Sequence, residues 1–343
     1  MVAGRNWTAN AEAFTYHGGA LDVARRLAPG APKPWIDLST GINPHPYPLP
    51  EIVAEVWSRL PGSGALAELE AAAAARYGAP AGMVVAGPGS QALIQALARI
   101  IPRGAVGVLG PTYGGLEAAF AAAGAQVDEA KRVEDMGDLD VAIVVNPNNP
   151  DGRISARADL LDLHRRLARR GGVLIVDEAF ADFDGESESL APVLPGKAVV
   201  LRSFGKSFGL AGLRLGFAIA SADIVQPLRA ALGEWPVSGP AIAIGTKALA
   251  DLGWTDAMRD RLFGEAARLD ALLKEAGWRG IGGTRLFRLA AKSDALPVFD
   301  RLMAAGILAR PFAEAPDWLR FGIPGDEKAW RRLAAALGER ASS

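Results

Sequence analysis

From residue 83 onward the chain repeats one pattern. A short uncharged apolar run leads into a turn rich in glycine, proline or asparagine, and a helical stretch follows. Residues 83–86, 106–109, 141–145 and 173–176 read as strands, and 91–101, 116–123 and 157–170 as helices between them. Runs such as Val141-Ala142-Ile143-Val144-Val145 do not alternate with polar residues, so both of their faces must be covered. Strand–helix alternation of this kind predicts an α/β fold with a mostly parallel sheet flanked by helices. Open sheets of this class bind ligands beyond the carboxyl ends of their strands. The residues after each strand are therefore where chemistry should be sought.

The remainder fits around that block. Residues 21–27 form a helical piece, and DLSTGINPHPYPLP follows from Asp37, where prolines 44, 46, 48 and 50 forbid helix or central strand. Helices are expected at 51–61 and 65–77, the latter ended by Gly78. Residues 198–201 and 215–220 read as two more buried strands, helices follow from Ala222, and a long helical stretch covers 239–276. Short strands and helices alternate again toward the end, closing with a helix at 326–337. With 343 residues the chain can fill two cores. The expected division is an arm at 1–48 that contributes to the small domain and the substrate site, a large domain at 49–235, and a smaller α+β domain at 236–343.

Composition excludes several classes of partner. Thirty-seven basic and 38 acidic residues leave no bias toward nucleic acid or an anionic membrane. Cysteine is absent, so there are no disulfides and no thiolate metal sites. His17, His45 and His164 lie far apart and form no metal-ligand motif, so no metal is expected. Residues 1–10 lack the apolar core of a signal peptide, and no uncharged run is long enough to span a bilayer. A soluble cytoplasmic protein is expected.

One turn after a strand stands out: Ser203-Phe204-Gly205-Lys206-Ser207, flanked by apolar runs on both sides and followed by Arg214. A lysine between buried strands is costly unless paired or chemically used, and its characteristic use is a Schiff base with a carbonyl. Gly205-Lys206-Ser207 also spells the end of a phosphate-binding P-loop. That motif needs a glycine at position 200, where Val200 stands. After 83–86 comes Gly87-Pro88-Gly89-Ser90-Gln91, a glycine turn opening a helix and suited to a phosphate. Gly87, Gly89 and Ala92 match the dinucleotide fingerprint, but no carboxylate follows the next strand, so a single phosphate fits better. Tyr113 follows 106–109 and could stack on a flat ligand. Asn149 follows 141–145 and precedes a proline, which holds its backbone extended. Asp177 ends the strand at 173–176 and needs a cationic partner, which a protonated ring nitrogen would supply. Taken singly, each residue also fits a plain turn, cap or boundary role. Their joint occurrence at successive strand ends points to pyridoxal phosphate.

The segments NPNNPDG, VDEAF and SFGKSFGLAGLRLGF resemble fold-type I pyridoxal-phosphate enzymes of the aminotransferase class I/II superfamily, in the branch that holds histidinol-phosphate aminotransferases and threonine-phosphate decarboxylases. HGG at residues 17–19, DLSTGINP, GILARPF and WLRFGIP are similar to the decarboxylases of cobalamin biosynthesis. The resemblance implies a homodimeric lyase that takes CO2 from L-threonine O-3-phosphate. Lys206 would form the Schiff base, Asp177 would pair with the ring nitrogen, Asn149 with the ring oxygen, and Tyr113 would stack. Gly89, Ser90, Gln91, Ser203 and Arg214 would hold the cofactor phosphate. Arg320 would take the substrate carboxylate, Arg310 and His17 would help with its phosphate, and the backbone N–H of Gly41 would stand in the substrate site for an asparagine common in the arm. The chain departs from the family at Phe180 and Leu60, where tyrosines are common, at Gly205, often serine or threonine, and at Gly41, often asparagine. An aminotransferase shares every cofactor residue and stays open as an alternative. A dinucleotide oxidoreductase built on GPGSQA is a reading of a different class. A non-catalytic pyridoxal-binding regulator would normally carry a basic head, which is absent.

Overall fold

The computed structural model describes Phe14 and residues 18–101 and 104–338. The chain divides into two compact units, residues 46–257 and residues 1–45 with 258–343. The division places the helix Gly239–Ala250 with the larger unit and falls inside the helix Leu252–Glu275.

Thirteen strands are numbered in chain order among the described residues, beginning with β1 (Ile36–Asp37). The larger unit holds β2 (Val84–Gly87), β3 (Ala105–Leu109), β4 (Gln126–Ala130), β5 (Val141–Val145), β6 (Val173–Asp177), β7 (Ala198–Ser203) and β8 (Gly216–Ala220). They form one seven-stranded sheet in the order β2-β8-β7-β6-β5-β3-β4. All neighbours are parallel except β8, which runs antiparallel to both β7 and β2.

Alternate residues of each strand supply the two covers of the sheet. Ala142, Val144, Leu174, Val176 and Val200 pack with Leu69, Leu160, Leu163 and Leu249 on one face. Val141, Ile143, Ile175, Val199 and Leu201 pack with Leu93, Leu97, Leu116 and Leu228 on the other. Each fully buried aliphatic side chain contributes on the order of 1.5–3 kcal/mol. The double cover is the physical reason these strands read as continuous apolar runs.

The sequence reading missed β4, whose Gln126-Val127-Asp128-Glu129-Ala130 is largely exposed at the sheet edge. An edge strand can carry charge, which hides it from an apolar pattern. The expected helix at 51–61 is shorter, Ala54–Ser58, because Val53 and Arg59 are extended on either side. The stretch 239–276 is two helices rather than one. Asp251 separates them and accepts a hydrogen bond from the Trp254 amide at 2.9 Å, starting the second.

In the smaller unit, β9 (Arg279–Thr284), β10 (Phe287–Ala291), β12 (Arg310–Pro311) and β13 (Trp318–Gly322) form an antiparallel sheet in the order β12-β13-β10-β9. A separate pair joins β1 to β11 (Ile307–Leu308) in parallel. The helices Ala295–Ala304 and Glu327–Gly338 supply buried Val298, Phe299, Leu302, Trp330 and Leu333 to this unit.

Between β6 and β7 lies a buried ionic cluster. The Arg202 guanidinium meets Glu178 at 2.8 Å and Asp182 at 3.1 Å, with all three side chains almost fully enclosed. Ser189 Oγ and the Leu190 amide donate to Glu178 at 2.6 and 2.9 Å, and Arg202 lies 4.6 Å from the Tyr77 ring centroid. Breaking such a pair by removing one partner leaves a buried charge uncompensated. Arg202→Met is expected to lower unfolding free energy by about 3–5 kcal/mol, read by urea denaturation, because two carboxylates then stay behind. The triple change Arg202→Met, Glu178→Gln, Asp182→Asn is expected to recover much of that loss.

Candidate active site

The carboxyl end of the seven-stranded sheet gathers the residues singled out from sequence. Asp177 is the last residue of β6 and pairs in register with Val145, the end of β5, and with Leu201 of β7. It is 4% exposed. Burial pushes its carboxyl up to about 6; the Lys206 charge and the Ala179 amide, which donates at 3.1 Å, pull it back, while Glu178 adds to the rise. The cation that opposes the burial of Asp177 is therefore Lys206.

Lys206 sits in a single helical turn, Phe204–Ser207, directly after β7. Aromatic packing holds that turn. Phe204 and Phe208 stack with centroids 4.2 Å apart, and Phe208 stacks on Trp254 at 5.4 Å. Tyr47 closes edge-on against both Phe208 and Trp254, and its hydroxyl donates to Asp251 at 3.2 Å. Lys206 Nζ lies 4.8 Å from the ring centroid of Phe180. Gly205, where serine or threonine is common in the family, faces the chain at Ala211. A Cβ there would come 2.7 Å from the Ala211 Cα, so this turn is folded too tightly for a side chain.

The anion cradle lies on the neighbouring antiparallel strands. Gly89 caps the helix Ser90–Ile100 with φ of 86°, and a Cβ on it would come 2.8 Å from Arg214 Nη2. A Cβ on Gly216 would come 2.4 Å from the Ser90 nitrogen, and Gly216 pairs in register with Ser203. Gly89, Ser90, Ser203 and Arg214 therefore meet around one point at a helix N-terminus. Backbone amides, a helix dipole and a guanidinium together are suited to a phosphate. Arg214 has φ of 53°, the left-handed region that costs a non-glycine residue about 1–2 kcal/mol. Such strain is characteristic of functional turns.

The flat-ligand residues come from the next two strand ends. Tyr113 donates its hydroxyl to Gln91 Oε1 at 3.0 Å. Its ring covers Gly115, where a Cβ would come within 2.4 Å of it. In the loop after β5, Asn146 exchanges hydrogen bonds with the Ser155 backbone at 3.1 and 2.9 Å. Asn148 donates to Pro111 and Asp151 and accepts from Thr112. Arg153 pairs with Asp151 at 2.8 Å and donates to the Leu109 and Gly110 carbonyls. Two of the three asparagines thus build the loop and fasten it to the one carrying Tyr113, while Asn149, 7% exposed, follows them.

The smaller unit holds a second group by itself. Arg310 on β12 and Arg320 on β13 are direct cross-strand partners, 7% and 2% exposed. Burial drives the Arg320 pKa well below its ordinary value, the Arg310 charge pushes the same way, and Asp37 opposes both. Like charges opposite each other in a sheet destabilise it. Two guanidinium groups buried side by side could each receive an anionic group. Arg320 Nη2 also donates to the Ser39 carbonyl. Gly41 is buried with φ of 64°, in the same loop as Ser39. His17 lies outside the described residues. Sequence reasoning gave no role to Glu178, Arg202, Asp37 or Ser39. A charged residue within the apolar run of β7 was the available sign of Arg202.

Residues 33–337 match the model of the aminotransferase class I and II family. The chain is 45% identical to a threonine-phosphate decarboxylase of Pseudomonas aeruginosa, over 94% of this chain and 96% of that protein. It is 42% identical to another of that name from a Sinorhizobium species, over 94% and 97%. The crystal structure of histidinol-phosphate aminotransferase from Sinorhizobium meliloti in complex with pyridoxal-5'-phosphate aligns with a TM-score of 0.80 at 20% identity, over 92% of each chain. Order of elements, sheet topology and sequence agree that the chain belongs to the aminotransferase class I and II family.

Proposed function

We propose that the protein is a pyridoxal-phosphate-dependent carboxy-lyase. It converts L-threonine O-3-phosphate to CO2 and (R)-1-amino-2-propanol O-2-phosphate, a step in cobalamin biosynthesis. The observation that carries the substrate class is the buried cross-strand pair Arg310 and Arg320. A carboxylate and a phosphate on one small molecule match two guanidinium groups, each able to bind an oxyanion through two N–H donors. The 45% identity to a protein named threonine-phosphate decarboxylase supports the same substrate.

The residues present fit the cofactor. Asp177 is a buried carboxyl raised to about 6, and a cationic ring N–H would hold it ionised. The cradle at Gly89, Ser90, Gln91, Ser203 and Arg214 would take its phosphate, Tyr113 its ring face, Asn149 its ring oxygen, and Lys206 Nζ its aldehyde carbon. When bound, pyridoxal phosphate supplies a ring that takes up the electrons left by the breaking Cα–carboxylate bond. Arg320 orients the substrate by its carboxylate, and Arg310 and His17 orient its phosphate, with the Gly41 N–H a further donor in the substrate site. After CO2 leaves, Cα needs one proton, and Lys206 Nζ is the group proposed to deliver it. Phe180 beside Nζ presents carbon where the family often has a hydroxyl, which limits water at the amine.

A homodimer in the cytoplasm is part of the proposal. Leu49, Val53, Trp57 and Leu60 are each 65% exposed or more within a single short segment of the larger unit, an apolar surface suited to a second copy. No described helix is long and apolar enough to cross a membrane.

The deciding experiment supplies O-phospho-L-threonine together with a keto acid. Release of CO2 with no amino transfer is expected, and transfer without CO2 would make the protein an aminotransferase. In the same preparation, borohydride reduction and digestion should place the cofactor tag on Lys206.

Two further outcomes follow from charge. Arg310→Met is expected to raise KM for phosphothreonine by at least about tenfold, through loss of a charge-assisted pair. Steady-state kinetics with threonine beside phosphothreonine would show the preference for the phosphorylated substrate collapsing.

Asp177 gives a pH signature in the cofactor-free protein. Its folded value of about 6 lies above the ordinary 3.8, so the folded state holds the extra proton between those pH values. Stability from this group is full below about pH 4 and falls as pH rises to about 6, leaving a cost above that. Asp177→Asn should therefore stabilise the cofactor-free protein at pH 7 by about 1–3 kcal/mol and flatten that slope. Urea unfolding across pH 4–8 reads both, while cofactor-dependent activity should be lost.

A further inference from the structure

Ser39 is 2% exposed and makes a junction with all of its polar groups. Its amide and its hydroxyl both donate to Asp37 Oδ1, at 2.9 and 2.6 Å. Its Oγ accepts the Gly19 amide at 2.8 Å. Its carbonyl accepts Arg320 Nη2. Gly18 packs so closely that a Cβ on it would fall 2.2 Å from the Ser39 oxygen, the same oxygen that Arg320 meets. One peptide thus joins the glycine pair at residues 18–19 to the buried guanidinium, and Asp37 fixes that peptide from the other side.

We propose that Ser39, held by Asp37, is a positioning residue for substrate binding: it seats the Gly18–Gly19 backbone against Arg320, so that the anion-binding guanidinium and the arm are set as one piece. The inference rests on Arg320 being a substrate residue, as argued above. A glycine at 18 is required because any side chain would displace the carbonyl that orients Arg320. A serine at 39 is required because its hydroxyl donates to Asp37 and accepts from Gly19 at once, which alanine cannot do. Asp37 has a second effect through space, as the negative charge that opposes the mutual repulsion of the two arginines.

The test is a double-mutant cycle on the cofactor-loaded protein. O-phospho-L-threonine is titrated while the cofactor absorption is followed, and CO2 release is measured in parallel. Ser39→Ala deletes two hydrogen bonds and is expected to weaken phosphothreonine binding by about tenfold or more, with kcat and the cofactor absorption of the unliganded protein within twofold of wild type. Asp37→Ala would also remove a negative charge that acts on Arg320, so the cycle pairs Ser39→Ala with Gly18→Ala, and the double variant is expected to be no weaker than the worse single one, since both act through one peptide. Gly18→Ala, which attacks the junction from the arm side, should give the same selective loss of binding. Phosphothreonine affinity within twofold of wild type in Ser39→Ala overturns the proposal. So does a loss of cofactor absorption and kcat with affinity unchanged, which would mark a merely structural residue. Wild-type protein that binds phosphothreonine but releases no CO2 defeats the decarboxylase reading and leaves the junction standing on its binding constants.

Discussion

The larger unit depends on burying opposite charges at the end of an apolar sheet. Asp177 and Lys206 follow the strands β6 and β7, whose interior residues are close to fully enclosed. An isolated carboxylate there would neutralise rather than stay charged. Burial raises Asp177 to about 6, with the Lys206 charge opposing it. A ligand with a cationic ring N–H would favour the ionised carboxyl, so binding such a ligand would also stabilise the sheet end.

The neighbouring ion cluster works on the opposite plan. Arg202 lies on β7 beside Ser203, and Glu178 directly follows Asp177, the last residue of β6. Arg202 is matched by two carboxylates, a hydroxyl and an aromatic face, all supplied by the protein itself. Alternation along a strand sends neighbouring side chains to opposite faces. The ion network of Arg202, Glu178 and Asp182 braces the strand ends next to which Asp177 and Lys206 stand. Rigid support behind a reactive group is what holds it in productive orientation.

How much of this was legible in the sequence depended on what each residue had to satisfy. The strands β5 and β6 were readable because a doubly covered strand admits only apolar side chains, and the turns after them because glycine, proline and asparagine carry specific backbone demands. β4 was not, since an edge strand satisfies water as well as its neighbour. Asp177 and Lys206 were readable because a charge at the end of an apolar run has few harmless explanations. Arg202 is the same kind of signal and was passed over, since its partners Glu178 and Asp182 are brought to it only by the pairing of β6 with β7. Ser39 was invisible for a different reason. Its role lies in four contacts to residues spread from Gly19 to Arg320, and no local pattern marks a junction of that span.

The two units would recognise anions by different physics. In the larger unit the proposed anion site is mostly backbone: a helix N-terminus, glycines that let Arg214 and Ser203 approach, and one strained turn. Such a site is selective for shape and tolerates little change in side-chain volume. In the smaller unit the anion site is side-chain charge, two guanidinium groups that repel each other inside a sheet. A site of that kind is selective for charge number. A substrate bearing one anionic group would relieve one arginine and leave the other buried opposite a like charge. A substrate bearing two would relieve both, which would favour the doubly anionic molecule.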